Sequence, residues 1–257
     1  MADEPLAGAR PAGLPAAGLR AVVTGGSRGL GLAVARSLVA AGAQVAIVGR
    51  DPLRVAASAA NLDGGSGRVS GWTIELAAPD AVDALAEVGE HLGEVDLVIA
   101  SAAVMSAKAS KLVHTSPEHW REVLATNLDG VFHTLRAFVP GMLERRAGRV
   151  VVFSACLGRM SGPGTAGGLA PYRVSKAAVN ALVRNTAAEA GAGRRGVFVD
   201  AVCPGHCRTD MGGPDAPRSA EEGADTALWL ALRGLPGGAD LTAPTGLLWE
   251  DREVVPW

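Results

Sequence analysis

Short apolar runs alternate along the chain with longer stretches whose apolar residues recur every three or four positions. The runs Ala21–Thr24, Gln44–Val48, Arg68–Ile74, Leu97–Ala100, Arg149–Phe153 and Val197–Val202 read as strands, since a brief continuous apolar run suits a strand covered on both faces. The stretches Leu30–Ala41, Leu53–Asn61, Pro79–Leu92, Ser116–Glu144, Tyr172–Ala190 and Ala220–Leu232 carry the helical period. Strand-then-helix alternation requires crossover connections. It therefore predicts an α/β fold: a doubly wound parallel sheet with helices on both faces. Residues 18–257 form one such domain, and residues 1–17, rich in Ala, Gly and Pro with almost no large apolar side chain, read as a flexible tail.

Composition narrows the function classes. A hydrophobic content of 48% and a charged fraction of 19% exclude a largely disordered chain. The net charge of −2 gives no electrostatic case for nucleic acid or a membrane surface. No run is long and apolar enough to span a bilayer. The N-terminus carries Asp3 and Glu4 and lacks the basic start of a secretory signal, so the expected location is the cytoplasm. Cys156, Cys203 and Cys207 are odd in number and widely spaced, which argues for a reducing compartment. His206 lies between Cys203 and Cys207, but no second ligand pair accompanies them, and no metal site is expected.

The candidate chemistry begins with the single tyrosine, Tyr172, and one of only three lysines, Lys176, four residues later. Helical spacing places phenol and ammonium on one face. A neighbouring cation favours the phenolate, so the phenol is expected to titrate below its usual value of about 10. The first strand-to-helix turn, Thr24-Gly25-Gly26-Ser27-Arg28-Gly29-Leu30-Gly31, lets the backbone approach a pyrophosphate and aims a helix N-terminus at it. A carboxylate at the end of the second strand would select NAD by binding its ribose. Here Gly49-Arg50 stands in that place, with no acid until Asp51. Arg28 and Arg50 are expected to clamp a 2′-phosphate, which makes NADP(H) the predicted cofactor.

Together these motifs make the chain resemble the classical short-chain dehydrogenase/reductases from about Leu19 onward. The glycine turn matches Thr-Gly-x-x-x-Gly-x-Gly, and Tyr172 with Lys176 matches Tyr-x-x-x-Lys. Asn127, in Ala125-Thr126-Asn127-Leu128, falls where the family has its active-site asparagine. Cys203-Pro204-Gly205 resembles the Pro-Gly loop at the nicotinamide end. Thr209–Pro214, Glu221–Asp225 and the terminus Val255-Pro256-Trp257 look like the carbonyl reductase branch.

The resemblance implies a Rossmann-type fold and reduction of a small carbonyl substrate. Tyr172 would be the proton donor, Lys176 would hold the nicotinamide ribose, and Asn127 would orient a water leading to solvent. The implied cofactor contacts are Gly25, Ser27, Arg28, Gly29, Leu30, Gly31, Arg50, Glu75 and Leu76 on the adenosine side. Ala100, Ser101, Ala102, Asn127, Tyr172, Lys176, Pro204, Gly205, Cys207 and Thr209 complete the set. A homo-oligomer is compatible with it.

Two positions depart from the family pattern. The catalytic serine of its Ser-Ser-x-x-Gly run aligns with Ala155 in Phe153-Ser154-Ala155-Cys156-Leu157-Gly158, leaving Ser154 as the candidate replacement. Adjacent residues of an extended chain point to opposite faces, so Ser154 serves only if the strand end is bulged or the side chain is turned. Where the family has Asn-Asn-Ala-Gly, this chain has Ala100-Ser101-Ala102-Ala103, losing an asparagine that ties neighbouring strands. The segment from Arg159 to Pro171 reads as a mobile wall, with His206, Met105, Met160 and Met211 as further candidates beside the substrate. Two rival readings remain: an enzyme of this fold with non-reductive chemistry, supported by the missing serine, and a dinucleotide-binding regulator without turnover.

Overall fold

The computed structural model describes residues 16–105, 111–233 and 243–257. Eight strands are present among these: β1 (Arg20–Thr24), β2 (Gln44–Gly49), β3 (Val69–Thr73), β4 (Leu97–Ala100), β5 (Gly148–Phe153), β6 (Val197–Val202), β7 (Leu248–Glu250) and β8 (Glu253–Val255). They form one sheet in the order β3-β2-β1-β4-β5-β6-β7-β8, parallel except for the last pair. The predicted strands are all found, with ends shifted by at most a residue.

Side-chain alternation divides the interior in two. Val22, Val98 and Val150 face one core, while Ala21, Val23, Leu97 and Ile99 face the other. Helices α3 (Ala81–Leu92), α5 (Gly130–Arg145) and α6 (Ala170–Glu189) cover the first face; α1 (Gly29–Ala40) and α7 (Ala220–Leu232) cover the second. This is the doubly wound α/β architecture that the alternation predicts. Helix starts follow their local chemistry. Asp51 caps α2 (Pro52–Asp63) by accepting from Leu53 and Arg54 N–H, and Ser219 and Glu222 form a reciprocal capping box on α7.

The structure differs from the sequence pattern in three places. The single helix over Ser116–Glu144 is two helices, α4 (Pro117–Leu124) and α5, joined by a wider π-type turn over Ala125–Asp129. Its apolar period runs through the turn almost unbroken, so the sequence conceals it. The hairpin of β7 and β8 is also unanticipated. Each strand has three residues, and the turn uses Asp251 and Arg252 at positive φ instead of Asn-Gly. Side chains hold that turn: Arg218 pairs with Asp251 through two 2.6 Å bonds, and Arg252 grips Asp225. Finally, the folded body begins before residue 18. Ala16 is fully buried and its N–H donates to the Ala41 carbonyl, whereas residues 1–15 of the expected tail lie outside the described residues.

The strand order reverses between β1 and β4, which lie side by side with chain running away in opposite directions. In an open parallel sheet a crevice forms beyond the carboxyl ends at such a point. Ser101 closes the base of this one: its hydroxyl donates 2.6 Å to the Thr24 carbonyl, tying β4 to β1. The strand tie lost with the asparagine is thus replaced by a shorter side chain.

Candidate active site

A cleft of about 320 Å³ opens at that switch point. Its adenosine end is built by the glycine turn and the ends of β2 and β3; its far end is built by Tyr172, Lys176 and the loop after β6. All the expected cofactor contacts line it except Ala100 and Asn127, which lie buried behind the wall.

The glycine turn fits an anion. Gly25 takes φ +68°, and a Cβ there would meet the Ala102 amide at 2.7 Å. No side chain larger than hydrogen fits that approach. Helix α1 starts without a side-chain cap, so its first N–H groups open toward the cleft. Gly29 lies against Thr209, bringing the loop after β6 to the same place. These features fit a dinucleotide whose pyrophosphate lies over the turn.

At the adenosine edge Asp51 caps α2 through one carboxylate oxygen. Arg28 donates 2.9 Å to Asp210, and Arg54 lies 3.4 Å from the same carboxylate. Arg54, in the first turn of α2, is a contact the sequence pattern does not announce. Both pairs are solvent-exposed, where such contacts contribute only about 0–1 kcal/mol, so an incoming anion competes readily for the guanidiniums. Glu75 is exposed and turns its carboxylate to the Ala77 N–H, while Leu76 is buried.

At the far end, α6 carries Tyr172, Lys176 and Asn180 on one face. Lys176 is buried; its Nζ donates 2.7 Å to the Phe153 carbonyl at the end of β5 and lies 5.7 Å from the Tyr172 ring centroid. Burial lowers its pKa from 10.5 to about 8. The expected lowering of the Tyr172 pKa is not found. Burial pushes the phenol up, with the nearby Cys203 and Cys156 adding to the effect. The phenol is therefore protonated at neutral pH. No group among the described residues hydrogen-bonds to it, and Tyr172 lines the cleft.

The lysine shift has a measurable consequence. Its folded pKa lies below the unfolded one, so between about pH 8 and 10.5 the unfolded chain binds the extra proton. Stability therefore rises with pH across that window as the cost of burying the charge disappears. Denaturant unfolding should show a gain of at most about 3 kcal/mol for the wild type relative to Lys176→Met. Parallel slopes in the two proteins would rule out a buried ammonium.

Asn127 sits in the π-type turn, fully buried, accepting from the Val104 N–H at 2.8 Å and donating to the Val104 carbonyl and to Ser175. Ser175 in turn donates to the Tyr172 carbonyl. Asn127 thereby pins the loop after β4 to the first turns of α6, and it does not reach Lys176 directly. π-type turns cluster at functional sites. Ser154 does not present a free hydroxyl: it donates to Asn180 Oδ1, with the Lys176 carbonyl 3.4 Å away. Ala155 is extended at φ −158°, ψ 152°, so its Cβ leaves the opposite face from Ser154; of the two, it is Ser154 that lines the cleft, with its hydroxyl already engaged by Asn180.

His206 is held by the Gly212 carbonyl, 2.8 Å from its Nε2. Thr209 accepts from the Gly212 N–H and begins no helix. Met105 and Met211 line the cleft, whereas Met160 is 76% exposed and does not. The expected mobile wall follows a short 3-10 turn, Cys156–Gly158, and contains another, Gly162–Thr165, with Arg173 bonded to the Pro163 and Gly168 carbonyls.

The family model described as "short chain dehydrogenase" matches residues 20–219. The chain belongs to this family. Over 193 residues it is 31% identical to the 3-oxoacyl-(acyl-carrier-protein) reductase of Escherichia coli, covering 74% of each chain. It is 33% identical to the acetoacetyl-CoA reductase of Rhizobium meliloti over 201 residues, covering 74% of this chain and 75% of that one. A Brucella melitensis 3-oxoacyl-(acyl-carrier-protein) reductase with bound NAD superposes with a TM-score of 0.78 at 27% identity, over 93% of this chain and 91% of that one. The protein is thus an oxidoreductase of a family that binds nicotinamide dinucleotides, with carbonyl-reducing relatives. No helix among the described residues is long and apolar enough to cross a membrane.

Proposed function

We propose that the protein is a cytoplasmic NADPH-dependent reductase of a small ketone, with Tyr172 as proton donor. One observation carries the reading: the only phenol of the chain, kept protonated by burial, lines the cleft beside a buried lysine. The printed activities of the Escherichia coli and Rhizobium meliloti relatives, both reductases of acyl-chain ketones, support it. The carbonyl reductase-like tail, Val255-Pro256-Trp257, agrees with that substrate class.

When bound, the dinucleotide supplies the hydride. The residues of the chain do the rest. Tyr172 delivers its proton to the carbonyl oxygen as negative charge develops there. Lys176, an ammonium below about pH 8, offers N–H donors to the nicotinamide ribose and stabilises the phenolate left behind. Asn127 keeps α6 in register through Ser175. Incubation with NADPH and a panel of activated ketones and quinones, followed by the absorbance of the reduced cofactor, tests the assignment. Tight binding without oxidation across the panel would favour the regulator instead.

Cofactor choice rests on the adenosine edge. Asp51 engages the α2 cap through Oδ1, and its Oδ2 lies 3.8 Å from the Arg54 guanidinium, which competes with ribose hydroxyls for it. Arg50, Arg28 and Arg54 remain to receive a 2′-phosphate. A hydrogen bond to a charged group contributes about 1.5–3 kcal/mol. Arg50→Ala should therefore weaken NADPH about 10–100-fold more than NADH in a fluorescence titration. Equal losses for the two cofactors would sink the clamp.

A further inference from the structure

Strands β5 and β6 run side by side, with Phe153 opposite Val202. Just beyond their ends the chain brings two cysteines together: the Cys156 N–H donates 3.0 Å to Cys203 Sγ. We propose that Cys156 and Cys203 form a peroxide-oxidisable dithiol site that closes into an intramolecular disulfide. Nothing in the reductase chemistry uses either sulfur.

The environments of the two thiols differ in the way such a reaction needs. Cys156 is half-buried, and the Cys203 hydrogen bond, helped by the nearby Arg159 cation, lowers its pKa to about 7 against opposing pushes from burial and from Glu250. Cys203 is buried, held as the thiol, and directed at Glu250 Oε1 3.5 Å away. A partly accessible thiolate near an arginine is the nucleophilic form of cysteine, and a second thiol in contact resolves what it makes. The Cys156 thiolate attacks the outer oxygen of a hydroperoxide, breaking the O–O bond, giving a sulfenic acid and releasing the alcohol, or water from hydrogen peroxide. Cys203 then attacks the sulfenic sulfur; its proton leaves with the hydroxyl as water and the S–S bond forms. Two thiols lose two electrons, and the peroxide gains them. Cys207 takes no part: it is buried, donates to the Pro204 carbonyl and packs against Gly223 of α7. The new bond would tie the turn holding Ala155 to the turn holding Pro204, the two segments flanking the phenol end of the cleft.

The site stands apart from the reductase reading, because thiol count and peptide mass report it without turnover. Reduced full-length protein is treated with hydrogen peroxide, quenched and denatured. Titratable thiols should fall from three to one, peptide mapping should find Cys156 joined to Cys203, and dithiothreitol should restore all three. In Cys203→Ala a sulfenic acid should persist on Cys156 and be trapped by dimedone; in Cys156→Ser the Cys203 thiol should survive. Overturning results are a thiol count that stays at three, a disulfide between chains, or sulfinic acid on Cys156 while Cys203 remains reduced.

Discussion

Tyr172→Phe should lower carbonyl turnover by about 10²–10⁴-fold, the usual contribution of a positioned proton donor, and leave NADPH binding nearly intact. The substitution removes one oxygen from a side chain that is otherwise buried. That oxygen has no hydrogen-bond partner among the described residues, so its loss strands no buried group and the fold should be unaffected. The cofactor cradle is built elsewhere, by Gly25, the α1 start and the arginines of the adenosine edge. A loss confined to turnover, with an unchanged binding titration and melting temperature, is therefore the expected signature. Retained turnover in the variant would transfer the proton-donor role away from Tyr172 and remove the main support for the reductase reading.

The contrast between what the chain announces and what it conceals has a physical origin. Its sequence announces features encoded over a few neighbouring residues. Buried strands such as Leu97–Ala100 show as apolar runs, the anion turn as Gly25, Gly29 and Gly31, and the Tyr172–Lys176 pair as helical spacing. It conceals what depends on distant contacts. The phenol pKa rises because α6 is pressed into the interior beside Cys156 and Cys203, and no local spacing reports that. Arg28 and Arg54 meet Asp210 across more than half the chain. Asp51 caps the start of α2 through one oxygen; the Pro52 that follows, a common first helical residue, is the local signal of that cap. The π-type turn at Asn127 is written into an unbroken apolar pattern, and only its bonds to Val104 and Ser175 mark it.

Ala155→Ser is expected to raise carbonyl turnover, by as much as about 10²–10³-fold, the value of one added donor to a developing oxyanion. Two features of the end of β5 produce this effect. First, the only hydroxyl present, on Ser154, is already donated to Asn180, which also donates to the Gly158 carbonyl and so ties the turn to α6. Ser154→Ala should consequently act on folding, lowering stability by about 1–3 kcal/mol through the unpaired Asn180, and leave the rate per folded molecule alone. Second, the extended backbone at Ala155 directs its Cβ away from that network, so a hydroxyl there is not captured by Asn180. The protein as it stands would then reduce ketones with the phenol as the single side-chain donor to the oxygen, which favours activated carbonyls over ordinary ones. The gain should be largest on the least activated ketone of the panel, where transition-state charge on oxygen needs most help. If Ala155→Ser leaves every substrate unchanged while Tyr172→Phe abolishes turnover, residue 155 does not face the reacting oxygen. If neither substitution affects any carbonyl substrate, the phenol serves a different proton transfer, and the non-reductive reading of this fold replaces the reductase.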